Sequence, residues 1–300
     1  MPSRVKELQA LGRITPPSWL PDNVMYETVM GSVAYGVAGE QSDFDVYGFC
    51  IPPKEDLFPH LRGEIQGFGR QRKRFEQYQK HHVPGAGTTG SAEEYDLAIY
   101  SIVKYFQLCM DNNPNMVDSL FTPRRCVLHA TRVAERVREQ RKLFLHAGCW
   151  VKFKGYAYAQ LTKMGSKDRQ GKRKETVEEH GYDVKFAYHV VRLLNEVEQI
   201  LESGDLVLDR EDSREQLKAI RAGEWTEEQV REYFTRKEPQ LEEAYRNTKL
   251  PREPDEAALK ALLLECLEEH YGSLEGAVHD ESVTLTALRD IQAIVARTLK

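Results

Sequence analysis

Two regimes of hydrophobic patterning divide the chain. Between residues 24 and 100 the apolar residues come in short runs separated by glycine and proline; from about residue 101 onward they recur at helical spacing. Residues 24–30 read as a first strand that ends at Gly31-Ser32, with a short helical turn before Gly39. Residues 44–51 read as a second strand, stopped by Pro52-Pro53. The polar, basic stretch 64–83 carries Phe68, Phe75 and Tyr78 and predicts one exposed strand or a hairpin. Residues 84–90 form a glycine-rich loop. A short strand at 95–99 then runs into a helix at about 101–110.

The later helices are better marked. Trp150, Phe153, Ala157, Leu161 and Met164 repeat at helical spacing and predict one buried stripe. A basic loop at 165–174 follows. Residues 182–202 read as a long helix closed by Ser203-Gly204. Thr226 and Gln229 fit a capping box that opens another helix. Leu259, Leu262, Leu263, Cys266 and Leu267 form a further stripe, and 283–299 read as a last helix.

Composition narrows the class. With 41% hydrophobic and 30% charged residues, the 300-residue chain has enough apolar matter for a real core. No apolar run approaches the roughly 18 residues needed to span a membrane. The opening Met-Pro-Ser-Arg-Val-Lys-Glu has no stretch of signal-peptide type, so a cytoplasmic protein is expected. The 5 cysteines are widely spaced and form no C-x-x-C pair, which argues for free thiols and against a zinc ribbon. A net charge of −5 excludes a wholly basic nucleic-acid binder. Positive charge nevertheless gathers at Arg70, Arg72, Lys73, Arg74 and Lys80, near two histidines at 81–82. It gathers again at Lys163, Lys167, Arg169, Lys172, Arg173 and Lys174. Such patches attract phosphate-bearing partners.

The chemistry centres on the first two strands. Gly31-Ser32 is followed, after ten residues, by Asp43-Phe44-Asp45. Strand alternation puts Asp43 and Asp45 on one face, with Phe44, Val46 and Cys50 on the other. Two carboxylates on one face repel unless a cation lies between them, and hard oxygen ligands favour magnesium. Gly31 lets the backbone approach a ligand closely, and Ser32 with the amides of the next turn can bind phosphate. A triphosphate beside paired aspartates suits in-line transfer with two metal ions. Asp96, in Tyr95-Asp96-Leu97-Ala98-Ile99, is the expected third carboxylate, with Glu94 as the alternative of the same parity. Lys185, His189 and Arg192 fall on one helical face at i, i+4 and i+7. They form either a nucleotide-contacting cationic face or an ordinary solvated one. Lys104, after Asp96, is a further candidate cation.

Gly31-Ser32-Val33-Ala34-Tyr35-Gly36 and Ser42-Asp43-Phe44-Asp45-Val46-Tyr47-Gly48 resemble the signature of the DNA polymerase β-like nucleotidyltransferase superfamily. Its RNA-repair-pathway branch, often linked with RNA ligases, is the nearer likeness. Three further segments resemble that branch: those beginning at Asp96, at Asn113-Pro114, and at Asp183-Val184-Lys185. The resemblance implies an α+β fold, with a small mixed sheet in a catalytic domain over 1–125 and an α-helical domain over 126–300. It implies a nucleoside triphosphate substrate, two magnesium ions on Asp43, Asp45 and Asp96, and phosphates on Gly31 and Ser32, with Lys185, His189 and Arg192 at the nucleotide. The acceptor expected is an RNA 3′ end reached through the basic clusters at 70–82 and 163–174, where Phe75 and Tyr78 could stack on bases. An RNA ligase is a possible partner.

Rival readings keep the chemistry on a small molecule or protein side chain, or keep only binding. Three motifs are set aside. Gly85–Gly90 fits G-x-G-x-x-G but leads into a strand rather than a helix. Gly31–Gly36 has P-loop spacing, with Val37-Ala38 where Lys and Ser/Thr are required. His81-His82 has no evident third metal ligand.

Overall fold

The computed structural model of the chain describes residues 3–39, 44–71, 73–85, 94–165 and 172–274, with 291–292 and 294–295 near the C-terminus; of 62 and 172–174 it describes the backbone. Helix α1 (Arg4–Ala10) is capped by Ser3, whose side chain accepts from the Lys6 amide. Strand β1 (Val24–Val29) holds that helix through Glu27. The buried Glu27 carboxylate accepts from the Arg4 amide at 2.6 Å, and from the Val5 amide and Ser3 hydroxyl, each at 2.9 Å. A carboxylate at a helix N-terminus also complements the helix dipole.

Strand β2 (Phe44–Cys50), helix α2 (Lys54–Leu57), strand β3 (Gln77–Pro84) and strand β4 (Glu94–Ser101) follow. Ser101 caps α3 (Ile102–Met110), and Asn113 caps α4 (Pro114–Phe121), whose Pro114 stands where a helix needs no amide. Strand β5 (Val127–Ala130) then returns to the sheet before α5 (Arg132–Glu139). The sheet order is β3-β4-β2-β1-β5, antiparallel throughout except for the parallel pair β2 and β4.

The remaining chain is helical. Helix α6 (Cys149–Met164) buries Trp150, Phe153, Ala157, Leu161 and Met164, the stripe read from the sequence. Each side chain of Phe or Leu size so buried contributes roughly 1.5–3 kcal/mol. After α7 (Lys172–His180), α8 (Val184–Ser203) starts on the Asp183 side chain and stops at Gly204, which adopts φ +64°. Helices α9 (Glu211–Arg221), α10 (Glu227–Asn247) and α11 (Glu256–Tyr271) complete it. The capping box of Thr226 and Gln229 opens α10 as expected. Helix α6 packs along α8, which also receives α9 and α10.

Alternation sorts the sheet faces. Val46, Cys50, Tyr95, Leu97 and Ile99 face α1 and the N-terminal segment in a small core. Phe49, Ala98 and Tyr100 face the helices, in a core that continues without a break to Leu274. The fold is α+β, as the sequence implies. It departs from the reading in three places. Strand β5 lies within the region read as purely helical, because four residues are too few to display a period. Helix α7 begins inside the stretch expected to be loop. Helix α1 shows only one apolar pair at helical spacing, Val5 and Leu8, which it buries in the smaller core while Glu27 holds its start. Residues 86–90 and most of 283–299 lie outside the described residues, as does Asp43. All 5 cysteines are buried free thiols. Among the described residues no helix is long and apolar enough to cross a membrane.

Candidate active site

Strand directions gather the polar residues at one end of the sheet. The C-terminal ends of β1 and β3 lie beside the N-terminal ends of β2 and β4. Asp45 and Asp96 are register partners in the parallel β2–β4 ladder. Neighbouring strands run about 4.8 Å apart, and partners in a ladder share a face. Two carboxylates are thus side by side on the face turned toward the helices.

The turn after β1 closes over them. The Met30 amide donates to the Asp45 carbonyl oxygen at 2.6 Å. Gly31 has φ +65°, and a Cβ at that position would stand 2.6 Å from Asp45 Oδ2. Both its left-handed backbone and its nearness to a carboxylate therefore demand glycine. Ser32 is half-buried in the single helical turn Gly31–Val33, and its carbonyl accepts from the Val37 amide at 2.9 Å.

Asp96 is held from β3. The His82 amide donates to Asp96 Oδ1 at 2.8 Å, and His81 Nδ1 lies 3.2 Å from Oδ2. Burial alone would raise the Asp96 carboxyl; the His82 amide, the His81 side chain and the nearby imidazoles outweigh it and hold the carboxyl below its ordinary range. His82 Nδ1 lies 2.6 Å from Glu94 Oε1, so the alternative carboxylate is engaged at the start of β4. Tyr47, two residues beyond Asp45 and on its face, packs toward Tyr100 with ring centroids 6.4 Å apart. Its hydroxyl is raised far above the ordinary value by burial, then by Tyr100, Asp45 and Asp96.

Beneath the turn lies a buried charge cluster. The Tyr35 hydroxyl donates to Asp118 Oδ2 at 2.6 Å. The Arg192 guanidinium stacks on the Tyr35 ring at 4.7 Å, bonds to the Tyr35 hydroxyl and to Asp118 Oδ2, and reaches Glu196 Oε1 at 3.2 Å. Burial raises both carboxyls against the pull of Arg192. The cluster joins the β1–β2 connection to α4 and α8. Farther along the same connection, Arg221 donates to the Val37 carbonyl at 2.7 Å.

The face read on α8 is thus unevenly exposed. Lys185 is exposed, His189 is half-buried with its ring 4.9 Å from that of Tyr188, and Arg192 is only 4% exposed. Lys104 follows the opposite end of β4 from Asp96 and points Nζ at Gln107, 3.2 Å away. Of the basic clusters, Arg70, Lys73, Arg74 and Lys80 are exposed. Phe75 packs edge-on against Trp19 at 4.8 Å, and Tyr78 against the smaller core. The second cluster is described only at exposed Lys163 and in the backbone of 172–174. Sequence reasoning passes over Asp118 and Glu196, quotes Tyr35 only within the resemblance, and sets the two histidines aside for want of a third metal ligand. Glu196, four residues after Arg192, carried the one local signal.

The sequence matches the RNA repair pathway DNA polymerase beta family over residues 4–265. The chain belongs to this family. The match extends through the sheet and α4–α10 into α11, beyond the resemblance visible from about residue 25 to 225. No curated protein matches the chain. Among solved structures, a nucleotidyltransferase-like protein from Exiguobacterium sibiricum is similar over 88% of this chain and 79% of that one, with 11% identity and a TM-score of 0.28.

A family of this kind implies divalent metal. Among the described residues no three His, Cys, Asp or Glu side chains form a metal-binding group, and Asp43 stands outside them. The donors that are described do fit one. Asp45 and Asp96 are adjacent carboxylates, Gly31 leaves room at Asp45 Oδ2, and Asp96 is kept ionised.

Proposed function

We propose that the chain is a magnesium-dependent nucleotidyltransferase that moves a nucleoside monophosphate from a nucleoside triphosphate to an RNA 3′ hydroxyl. The observation that carries this reading is the register pairing of Asp45 with Asp96 beneath the Gly31-Ser32 turn. Asp43, Asp45 and Asp96 would hold magnesium, two ions in all, which when bound supplies positive charge to the triphosphate and its leaving group. The acceptor oxygen forms a bond to the α-phosphorus, the bond from that phosphorus to the bridging oxygen breaks, pyrophosphate leaves, and the hydroxyl gives up its proton. Asp96 lies on the acceptor side, where its ionised carboxyl orients the hydroxyl and favours loss of that proton. Gly31 and Ser32 bind the β- and γ-phosphates. Lys185 and His189, at the start of α8, face the triphosphate; Arg192 acts on it through Tyr35. Membership of an RNA-repair family supports RNA as the acceptor, as do the exposed cations of β3 and its approach. An RNA ligase would then be the natural consumer of the repaired end.

Incubation with magnesium, each α-labelled nucleoside triphosphate and a mixed RNA pool tests this, beside Asp45→Asn. Label should pass to RNA in the native protein only, and binding of RNA should weaken steeply with salt. Label on a small molecule or a protein would discard the RNA acceptor. No transfer to any acceptor would discard the enzyme reading.

A further inference from the structure

The pairing of β3 with β4 is irregular at one place. Lys80 pairs with Leu97 and Val83 with Tyr95, so His81 and His82 together stand opposite the single residue Asp96. This is a β-bulge, two residues against one, of the kind that re-aims groups beside functional sites. His82 takes φ +55°, in the left-handed region that side chains seldom adopt. In a regular strand, consecutive residues direct their groups to opposite sides. Here the bulge brings the His82 amide and the His81 ring onto one carboxylate, 2.8 Å from Oδ1 and 3.2 Å from Oδ2. The His82 ring is 82% exposed and lies 2.6 Å from Glu94, turned away from Asp96.

We propose that His81 and the His82 main-chain amide form the positioning device of Asp96, fixing its carboxylate in the orientation that faces a divalent cation. This rests on the reading of Asp96 as a metal ligand. One donor would leave the carboxylate free to swing about its own bond; two donors on different oxygens remove that freedom. They also take two of its roughly four lone-pair sites and leave the others for a cation and the acceptor hydroxyl. Partners of this kind tune ligands elsewhere, and their loss typically costs about 10–100-fold in metal affinity or activity. His81 is 60% exposed and β3 is an edge strand, so the imidazole adds little to the core.

The test is calorimetric titration of the full chain with Mn²⁺, with melting temperature and transfer rate measured beside it. His81→Phe keeps a ring and removes the donor. His81→Asn returns an N–H close to where Nδ1 stood. His82→Gly keeps the amide and suits the left-handed backbone. We expect His81→Phe to weaken Mn²⁺ binding about 10–100-fold with the melting temperature unchanged. His81→Asn should recover most of the affinity, and His82→Gly should bind as the native chain does. Unchanged affinity in His81→Phe overturns the proposal. So does failure of His81→Asn to recover it, which would make the imidazole itself a ligand. A native chain that binds no Mn²⁺ overturns the metal reading, and this proposal with it, in a result separable from those of the three variants.

Discussion

At the scale of single residues, Gly31 carries the sharpest demand in the site. Its φ of +65° disfavours any side chain, and a Cβ there would meet Asp45 Oδ2 at 2.6 Å. The backbone conformation costs a non-glycine residue roughly 1–2 kcal/mol. The contact is a separate matter, since the atom displaced is the carboxylate itself. Gly31→Ala should therefore lose more activity than stability, with kcat/KM falling about 100-fold for a displacement near 1 Å. Transfer kinetics and a urea titration on the same preparation check this; equal losses in both would show that the turn merely unfolded. Gly31, Asp45 and Asp96 were legible because glycine at a strand end and strand parity are local facts. His81 and His82 were not. Both are as exposed as the sequence suggests, at 60% and 82% of the side chain, yet a bulge breaks the parity from which their partners could be read.

Among the elements, α8 shows what helical spacing can and cannot tell. Residues 185, 189 and 192 do share a side, but spacing does not say what covers it. Tyr35 and Asp118 cover its inner end, and both come from segments more than seventy residues away in sequence. Arg192 consequently stands as one guanidinium between two buried carboxylates, with Asp118 0% exposed. Removing one partner of a buried ion pair typically costs about 3–5 kcal/mol, because the remaining charge stays buried and uncompensated. Arg192→Ala should therefore unfold at markedly lower urea, by about 3–5 kcal/mol. Asp118→Asn in the same background should restore part of that loss by deleting a stranded charge. A surface role for Arg192 at the triphosphate alone would leave the urea midpoint unmoved and change only nucleotide affinity.

At the scale of the whole molecule, β5 ties the chain beyond residue 125 to the sheet. The resemblance implies a catalytic part over residues 1–125 and a helical part over 126–300. The backbone returns to the sheet after that point, with β5 pairing antiparallel to β1. The apolar core runs from Met25 on the sheet, through Phe49 and Tyr105, into Phe153, Val190 and Leu262 as one cluster. Tyr26, at the centre of β1, bonds through its hydroxyl to the Ser119 carbonyl at 2.8 Å and meets Arg138 of α5. A fragment of residues 1–125 would keep Asp45, Asp96 and the Gly31 turn. It would leave the apolar layer of the sheet, α3 and α4 without the later helices that cover it, an edge of β1 unpaired, and Asp118 without Arg192. An exposed edge beside an uncovered apolar face favours aggregation over folding. The fragment should therefore show no cooperative urea transition and no ordered aromatic signal in near-ultraviolet circular dichroism, while the full chain unfolds in one transition seen alike by both ultraviolet ranges. A fragment that folded alone and bound nucleotide would mean that the shared core is a docking surface between independent units, and that Arg192 is not needed to hold the turn over the carboxylates.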